Sequence, residues 1–258
     1  MHHSFIDRFS RGTTFIHGID PRAKVLFFLP LVVLINLTPI EWAPVFVGCA
    51  GLLTVLALLA RVPLSYLAKR LLIVLPFVLV IIAFLPFMSR GEIAWSIEFR
   101  GLRLGVTREG LATALNVLVK AVLCVFALLL LVSTTRFDRL LRSLEKLWVP
   151  RAILLILSFL YRYLFILVDE VMHMKRARDA RSFNPRRLQV RAAAGMAGVL
   201  FLRTYERAER VYQAMVARGF DGEVRVLQPL RFRWHDVAAL TAGWTSVALL
   251  WGCTWELR

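Results

Sequence analysis

Long apolar stretches constrain the fold of this chain more than any other feature. They lie at about residues 25–38, 43–60, 71–88, 111–134 and 237–253. Several can cross a bilayer core of about 30 Å, while the first and last need flanking residues to do so. Hydrophobic residues occupy 59% of the 258 positions, well above the share in a soluble domain. We therefore predict an all-α integral membrane protein with about five to six transmembrane helices.

The distribution of Lys and Arg predicts the orientation of these helices. Basic residues precede the first stretch and fill the loop between the second and third, whereas residues 39–41 contain no base. Because positively charged loops stay in the cytoplasm, we expect a cytoplasmic N-terminus. Residues 90–110, on the predicted outer side, carry four Arg that three Glu offset in part. The bases on the predicted cytoplasmic side are Arg22, Lys24, Arg61, Lys69 and Arg70.

The middle of the chain is strongly basic. Residues 136–233 carry 20 Lys and Arg against nine Asp and Glu, within a formal net charge of +16. In a membrane protein such charge favours anionic lipid headgroups and acidic protein surfaces rather than nucleic acid. We predict one structural domain in three parts: transmembrane helices in 1–135, long amphipathic helices at the cytoplasmic surface in 136–233, and a last transmembrane helix in 234–258.

Two long helices are predicted within 136–233. The apolar run 153–168 continues without a breaker into a basic segment that ends at Ser182. A second helix is expected from about residue 190 to 217, and Asn184-Pro185 separates the two. Apolar or small residues recur on one face of the second helix, at Phe201, Ala208, Val211, Tyr212 and Met215.

Each of these helices closes with the same eight-residue pattern, A-x-x-A-R-[SG]-F-[ND], at 177–184 and at 214–221. On a helix the two Ala of each copy are neighbours and form a flat patch. The Arg that follows complements the negative end of the helix dipole and offers a planar fork to a carboxylate. Gly219 suits a left-handed helix stop, whereas Ser182 suits it less well. A single copy reads as an Arg-decorated helix end, but two matching copies indicate a shared role.

The duplicated pattern, together with two N-terminal segments, resembles the transmembrane T subunit of energy-coupling-factor transporters, and most closely the cobalt/nickel-type CbiQ family. The N-terminal segments are F-I-D-R at 5–8 and H-G-I-D-P-R-A-K at 17–24. In that family the two motifs close coupling helices that dock into two ATPase subunits. The docking residues that the resemblance implies are Ala180, Arg181, Ser182, Ala217, Arg218 and Gly219.

The resemblance implies a non-catalytic subunit of the bacterial inner membrane. It would link two ATPases, as a homodimer or heterodimer, to a separate S subunit that binds cobalt or nickel, and its coupling helices would be cytoplasmic. The same scaffold could instead serve vitamin S subunits, such as those for biotin or riboflavin. A third alternative, of another class, is a basic membrane anchor that recruits acidic proteins or nucleic acid. We expect no cofactor and no bound metal. We expect no ATP hydrolysis by the chain itself, since the G-x-x-x-x-G-K-[ST] loop is missing, and no other catalysis, since the first three spans are almost free of ionisable residues.

A structural anchor is predicted at the start of the first span. Asp20 is a favoured N-cap and Pro21 fits the first helical position. Arg22 and Lys24 are then expected to hold this helix at the cytoplasmic interface.

Other single residues leave alternatives open. Lys120 and Arg162 fall inside apolar runs, where a charge is either functional or instead snorkels or pairs locally near a helix end. The three cysteines, which also lie in apolar runs, are interpreted as small core residues. His17, His173 and His235 show no metal-ligand spacing. The terminal Met1-His2-His3 could chelate a divalent metal, but it is interpreted as a flexible or cloning end.

Overall fold

The computed structural model describes residues 12, 14–39, 42–88, 93–99, 102–147, 149–181, 189–222 and 233–256. Within these residues the chain is almost wholly helical, which confirms the predicted all-α membrane fold. The elements follow in chain order as α1 (Phe15–Gly18), α2 (Pro21–Leu37), α3 (Ala43–Leu59), α4 (Leu64–Met88), β1 (Ile93–Phe99), β2 (Leu102–Thr107), α5 (Arg108–Thr134), α6 (Phe137–Glu145), α7 (Arg151–Arg181), α8 (Gln189–Ala217) and α9 (Trp234–Glu256).

Three of the described helices are long and apolar enough to cross a membrane. They are Leu64–Leu85, Glu109–Thr134 and Arg151–Arg181, in α4, α5 and α7. The helices α2 and α3 have 17 residues each, or about 26 Å, slightly less than the hydrocarbon core. As the sequence predicts, the first and last apolar stretches recruit flanking residues, because α2 begins at Pro21 and α9 at Trp234.

The helices divide into two compact units. One unit comprises Leu144–Pro229 and therefore contains α7 and α8, while the other combines the helices before it with α9. In the second unit α5 packs against α2, α3 and α4, and α9 packs against α2 and α3. The fully buried core of this unit includes Leu31, Val45, Cys49, Leu53, Leu130 and Val247. The interpretation of Cys49 as a small core residue is thereby confirmed.

Small residues allow α9 to approach its neighbours closely. A Cβ built on Gly243 of α9 would lie 2.7 Å from the ring of Phe27 in α2, and a Cβ on Gly48 of α3 would overlap the side chain of Leu250 in α9. Helices in membranes associate through such close van der Waals packing. The two glycines thus allow α9 to pack closely against α2 and α3.

One element was not predicted. The strands β1 and β2 form an antiparallel hairpin, with Phe99 opposite Leu102 and Ile97 opposite Leu104. The sequence carries the signal for it, since apolar and other residues alternate in I-A-W-S-I-E-F and L-R-L-G-V-T, the period of a strand. This alternating pattern is short beside the membrane-scale apolar runs on either side of it.

The predicted loop between the second and third spans is shorter than expected. Lys69 and Arg70 lie inside α4, which begins at Leu64, and the guanidinium carbon of Arg70 lies 4.9 Å from the ring centroid of Tyr66. Basic residues in the second turn do not end a helix, and Pro63 is the breaker that sets its start. The assignment of these two bases to a loop was therefore wrong.

Two described helices end in the same hydrogen-bonded motif. At the end of α3 the amide of Val62 donates to Ala57 O (3.1 Å) and the amide of Arg61 to Leu58 O (2.9 Å), which is the Schellman pattern. Arg61 occupies the left-handed position of this motif with φ 53°, a conformation that side chains with a Cβ adopt at a cost. The other example closes α8.

Candidate functional site

The second copy of the duplicated pattern ends α8 in a Schellman motif. The amide of Phe220 donates to Met215 O (3.0 Å) and the amide of Gly219 to Val216 O (2.9 Å). Gly219 has φ +81°, which glycine adopts without strain. The predicted glycine helix stop is confirmed, and Arg218 is held directly before it.

The side chains of this helix end face solvent. Ala214, Ala217 and Arg218 are exposed, whereas Met215 and Phe220 are half-buried. In a Schellman motif the residues at these last two positions commonly pack on one another. The two exposed Ala and the Arg that follows therefore lie at a helix end that is closed by its own backbone hydrogen bonds.

The first copy of the pattern ends α7. This helix runs to Arg181, and Ala177, Ala180 and Arg181 are all exposed. Arg178 makes a 2.8 Å ion pair with its neighbour Asp179, so one of the two Arg in this copy is engaged locally. Ser182 and Asn184-Pro185 lie outside the described residues, and the less certain stop at Ser182 stays a prediction.

The helices α7 and α8 pack against each other within their unit. Glu170 of α7 and Arg203 of α8 form an ion pair between the two helices. The half-buried residues of α8 recur on one side of the helix, at Ala192, Met196, Leu200, Thr204, Val211 and Met215. Phe201, Ala208 and Tyr212, which we grouped on one face from their spacing, are exposed.

The N-terminus of α2 carries the anchor residues. Asp20 is its N-cap, with Oδ1 accepting a 2.9 Å hydrogen bond from the amide of Arg22, and Pro21 begins the helix. Both local interpretations are confirmed. A role for this segment at the membrane interface stays a prediction.

Lys24 differs from the expected surface anchor. Its side chain is buried, with 6% exposed, and Nζ donates a 2.8 Å hydrogen bond to Thr134 O. Thr134 ends α5, so the ammonium complements the negative end of that helix dipole. Lys24 therefore binds α5 rather than lipid headgroups.

Lys120 makes the reciprocal contact at the other end of the same two helices. Its Nζ donates a 2.9 Å hydrogen bond to Asn36 O, one of the last carbonyls of α2. Of the two alternatives for Lys120, the contact supports pairing at a helix end. Each helix of this pair thus supplies a lysine to the C-terminus of the other. Arg162 is exposed on α7, and its two alternatives stay open.

Asp236 is the residue that sequence reasoning missed. It is buried, with 4% exposed, and its two oxygens accept hydrogen bonds from separate backbone amides, Asp20 N (2.8 Å) and Arg233 N (2.7 Å). The second bond is half of a capping box, because Asp236 is the third residue of α9. An acidic residue in the first turn of the last apolar helix was a readable signal for the cap. Its bond to Asp20 could not be read, since 216 positions separate the two.

The described residues contain no group of three or more His, Cys, Asp or Glu that could hold a metal ion. Met1-His2-His3 lies outside the described residues.

Comparison with known proteins gives one family match. A family model described as CbiQ, cobalt transport protein, matches residues 12–229, which is most of the chain and includes both copies of the duplicated pattern.

Individual relatives agree with this match. The chain is 27% identical to the energy-coupling factor transporter transmembrane protein EcfT of Ruminiclostridium cellulolyticum, over 95% of this chain and 94% of the relative. It is 29% identical to the EcfT protein of Brevibacillus brevis, over 90% and 91%. It is 33% identical to the cobalt transport protein CbiQ of Rhodobacter capsulatus, over 65% of each chain.

Proposed function

The chain belongs to the CbiQ family of cobalt transport proteins, and on that basis we propose that it is the transmembrane coupling subunit of an ATP-driven energy-coupling-factor importer. In this role it transmits the motion of two ATPase subunits to a separate S subunit that binds the substrate. ATP hydrolysis takes place on the partner subunits. The proposed cargo is cobalt or nickel ions, in keeping with the family of cobalt transport proteins and with the name of the Rhodobacter relative.

The observation that carries this proposal is the pair of exposed, matched helix ends. The helices α7 and α8 have 31 and 29 residues, or about 46 and 44 Å. Each presents two exposed Ala and an exposed Arg where it ends. ATP binding moves ATPase domains as rigid bodies, and a membrane subunit responds to such motion through stiff elements attached to each domain. Two long helices with matched ends supply two attachments.

The chemistry of each end fits docking into an acidic groove. The flat Ala patch lets a partner backbone come close, and the guanidinium fork matches a carboxylate in two parallel hydrogen bonds. At the second end Gly219 holds the backbone in a closed turn, so Arg218 needs little ordering on docking. Arg181 is proposed to play the same part at the first end.

We propose that the protein lies in the bacterial inner membrane. In the proposed orientation both helix ends and the N-terminus are on the cytoplasmic side. The support is the excess of Lys and Arg in residues 136–233 together with the positive-inside rule. ATP is available on that side, which is where the partner ATPases must dock.

The decisive variant reverses both Arg. We expect Arg181→Glu with Arg218→Glu to abolish ATP-driven uptake of radioactive Co²⁺, while the level of the protein in the membrane stays unchanged. Each charge-assisted contact contributes on the order of 1.5 to 3 kcal/mol, so the loss of two weakens docking by at least about a hundredfold. The matched control is Arg207→Glu, another exposed Arg of α8 outside the pattern. Normal uptake by the double variant would refute the proposed role of the two ends.

Purification of the tagged chain with its partners tests the cargo. Two ATPase copies and an S subunit that binds Co²⁺ or Ni²⁺ are the expected result. An S subunit that binds biotin or riboflavin would keep the coupling role and overturn the metal assignment. Absence of ATPases from the membrane-extracted complex would overturn the importer itself and favour a basic membrane anchor.

A further inference from the structure

The ion pair between Glu170 and Arg203 lies at a special point of both helices. In α7 the apolar run ends at Val168, and the charged segment begins at Asp169-Glu170. In α8 residues 192–202 carry no charge, and Arg203 is the first charged residue after them. The pair thus joins the helices where each changes from an apolar to a charged segment.

Each helix extends from this point as a charged arm that ends in the duplicated pattern. Arg181 follows Glu170 by 11 positions and Arg218 follows Arg203 by 15, or about 16 Å and 22 Å along the helices. Two other ion pairs described for these arms are local, since Glu206 and Arg210 are one turn apart and Arg178 and Asp179 are adjacent. Local pairs stiffen one helix, but only a pair between helices can fix one arm against the other.

The surroundings of the pair favour a fixed geometry. Leu200 and Thr204, on either side of Arg203, belong to the half-buried side of α8, and the side chain of Glu170 is 34% exposed. Arg is suited to this use because its rigid fork loses less conformational freedom for each hydrogen bond than Lys does. The Arg203 side chain is 60% exposed, so the value of the pair lies in position rather than in overall stability.

We propose that Glu170 and Arg203 are positioning residues that hold α7 and α8 together at one point of contact, so that the two charged arms turn about a fixed pivot. The inference rests on the proposed coupling function for its consequence in transport. When the pair is broken, each arm can shift on the other, and motion received at one end is lost before it reaches the rest of the chain.

A charge swap tests the pair in transport. Glu170→Arg and Arg203→Glu each bring like charges together, whereas the double variant restores an opposite pair in reversed order. We expect each single variant to lower Co²⁺ uptake per ATP hydrolysed by about three- to tenfold, with the complex still assembled, and the double variant to recover to within about twofold. Reversal of Arg210, whose partner Glu206 lies on the same helix, is the matched control and should leave this ratio unchanged. Single variants with an unchanged ratio, or a double variant no better than either, would overturn the proposal.

A distance measurement tests the pivot without any transport. Spin labels at Lys175→Cys and Gln213→Cys, both exposed positions on the two arms, report the separation of the arms in the full chain in nanodiscs. The chain without these two introduced cysteines controls for labelling of the three native ones, Cys49, Cys124 and Cys253. We expect a narrow distance distribution that widens in each single variant and narrows again in the double variant. Unchanged widths would refute the pivot even if the coupling role holds, and a restored pivot in a chain that imports nothing would instead refute the proposed function.

Discussion

The end of α8 gives the sharpest test of the local structure, because one substitution has opposite effects at two glycines of this helix. Gly219 has φ +81°, and a Cβ built on it would meet no atom within 4 Å. Gly219→Ala therefore adds no clash, and its cost is the left-handed conformation alone, about 1–2 kcal/mol. Gly198 in the interior of α8 is equally open, but there Ala is the better helix former, and Gly198→Ala should stabilise by about 0.5–1 kcal/mol.

Hydrogen exchange of the capping amides measures this effect directly. The amides at 219 and 220 donate the two bonds of the Schellman motif, and a cost of 1–2 kcal/mol corresponds to exchange about five- to thirtyfold faster. Mass spectrometry of peptides covering 211–222, with the protein in nanodiscs, should show the acceleration for Gly219→Ala and slower exchange in α8 for Gly198→Ala. The reasoning fails if Gly219→Ala leaves these amides unchanged or protects them.

Two further substitutions probe the other unit. Arg61 occupies the left-handed position that Gly219 occupies in α8, so Arg61→Gly should raise stability by about 1 kcal/mol, seen as a thermal midpoint in detergent higher by about 2–4 °C; an unchanged or lower midpoint would contradict the strain. Lys24→Met removes the buried donor to Thr134 O, and the unpaired buried carbonyl should lower stability by about 1–3 kcal/mol. An unchanged thermal midpoint in detergent would show that this contact does not stabilise the fold.

The sequence predicts helices in this chain better than it predicts where they begin. The apolar stretches at 43–60 and 111–134 correspond closely to α3 and α5, because lipid-scale hydropathy marks the interior of a span. The start of α4 was missed by several residues, since Lys69 and Arg70 continue a helix that Pro63 initiates. The hairpin at 93–107 was missed because its alternation is short beside the apolar runs around it.

The residues of the candidate site also differ in how well the sequence predicts them, according to whether their partners are near or far along the chain. The N-cap at Asp20 and the stop at Gly219 follow from local chemistry within a few residues, and both were predicted. The buried Lys24 and the bridging carboxylate of Asp236 depend on partners more than 100 positions away, which no local pattern specifies. The Glu170–Arg203 pair is intermediate, since both residues are visible as charges at the ends of apolar segments, but their pairing needs the packing of two helices.

The bond from Asp20 to Asp236 has a consequence for biogenesis. The acceptor lies 216 residues after the donor, so the ribosome has delivered most of the chain before the amide of Asp20 finds its partner. Until then the N-terminus of α2 lacks that tertiary hydrogen bond. The surfaces around Phe27 and Gly48 that pack against α9 are not yet covered. A chain truncated before α9 is thus left with an incomplete first helix as well as a missing last one. That defect is distributed over both ends of the polypeptide.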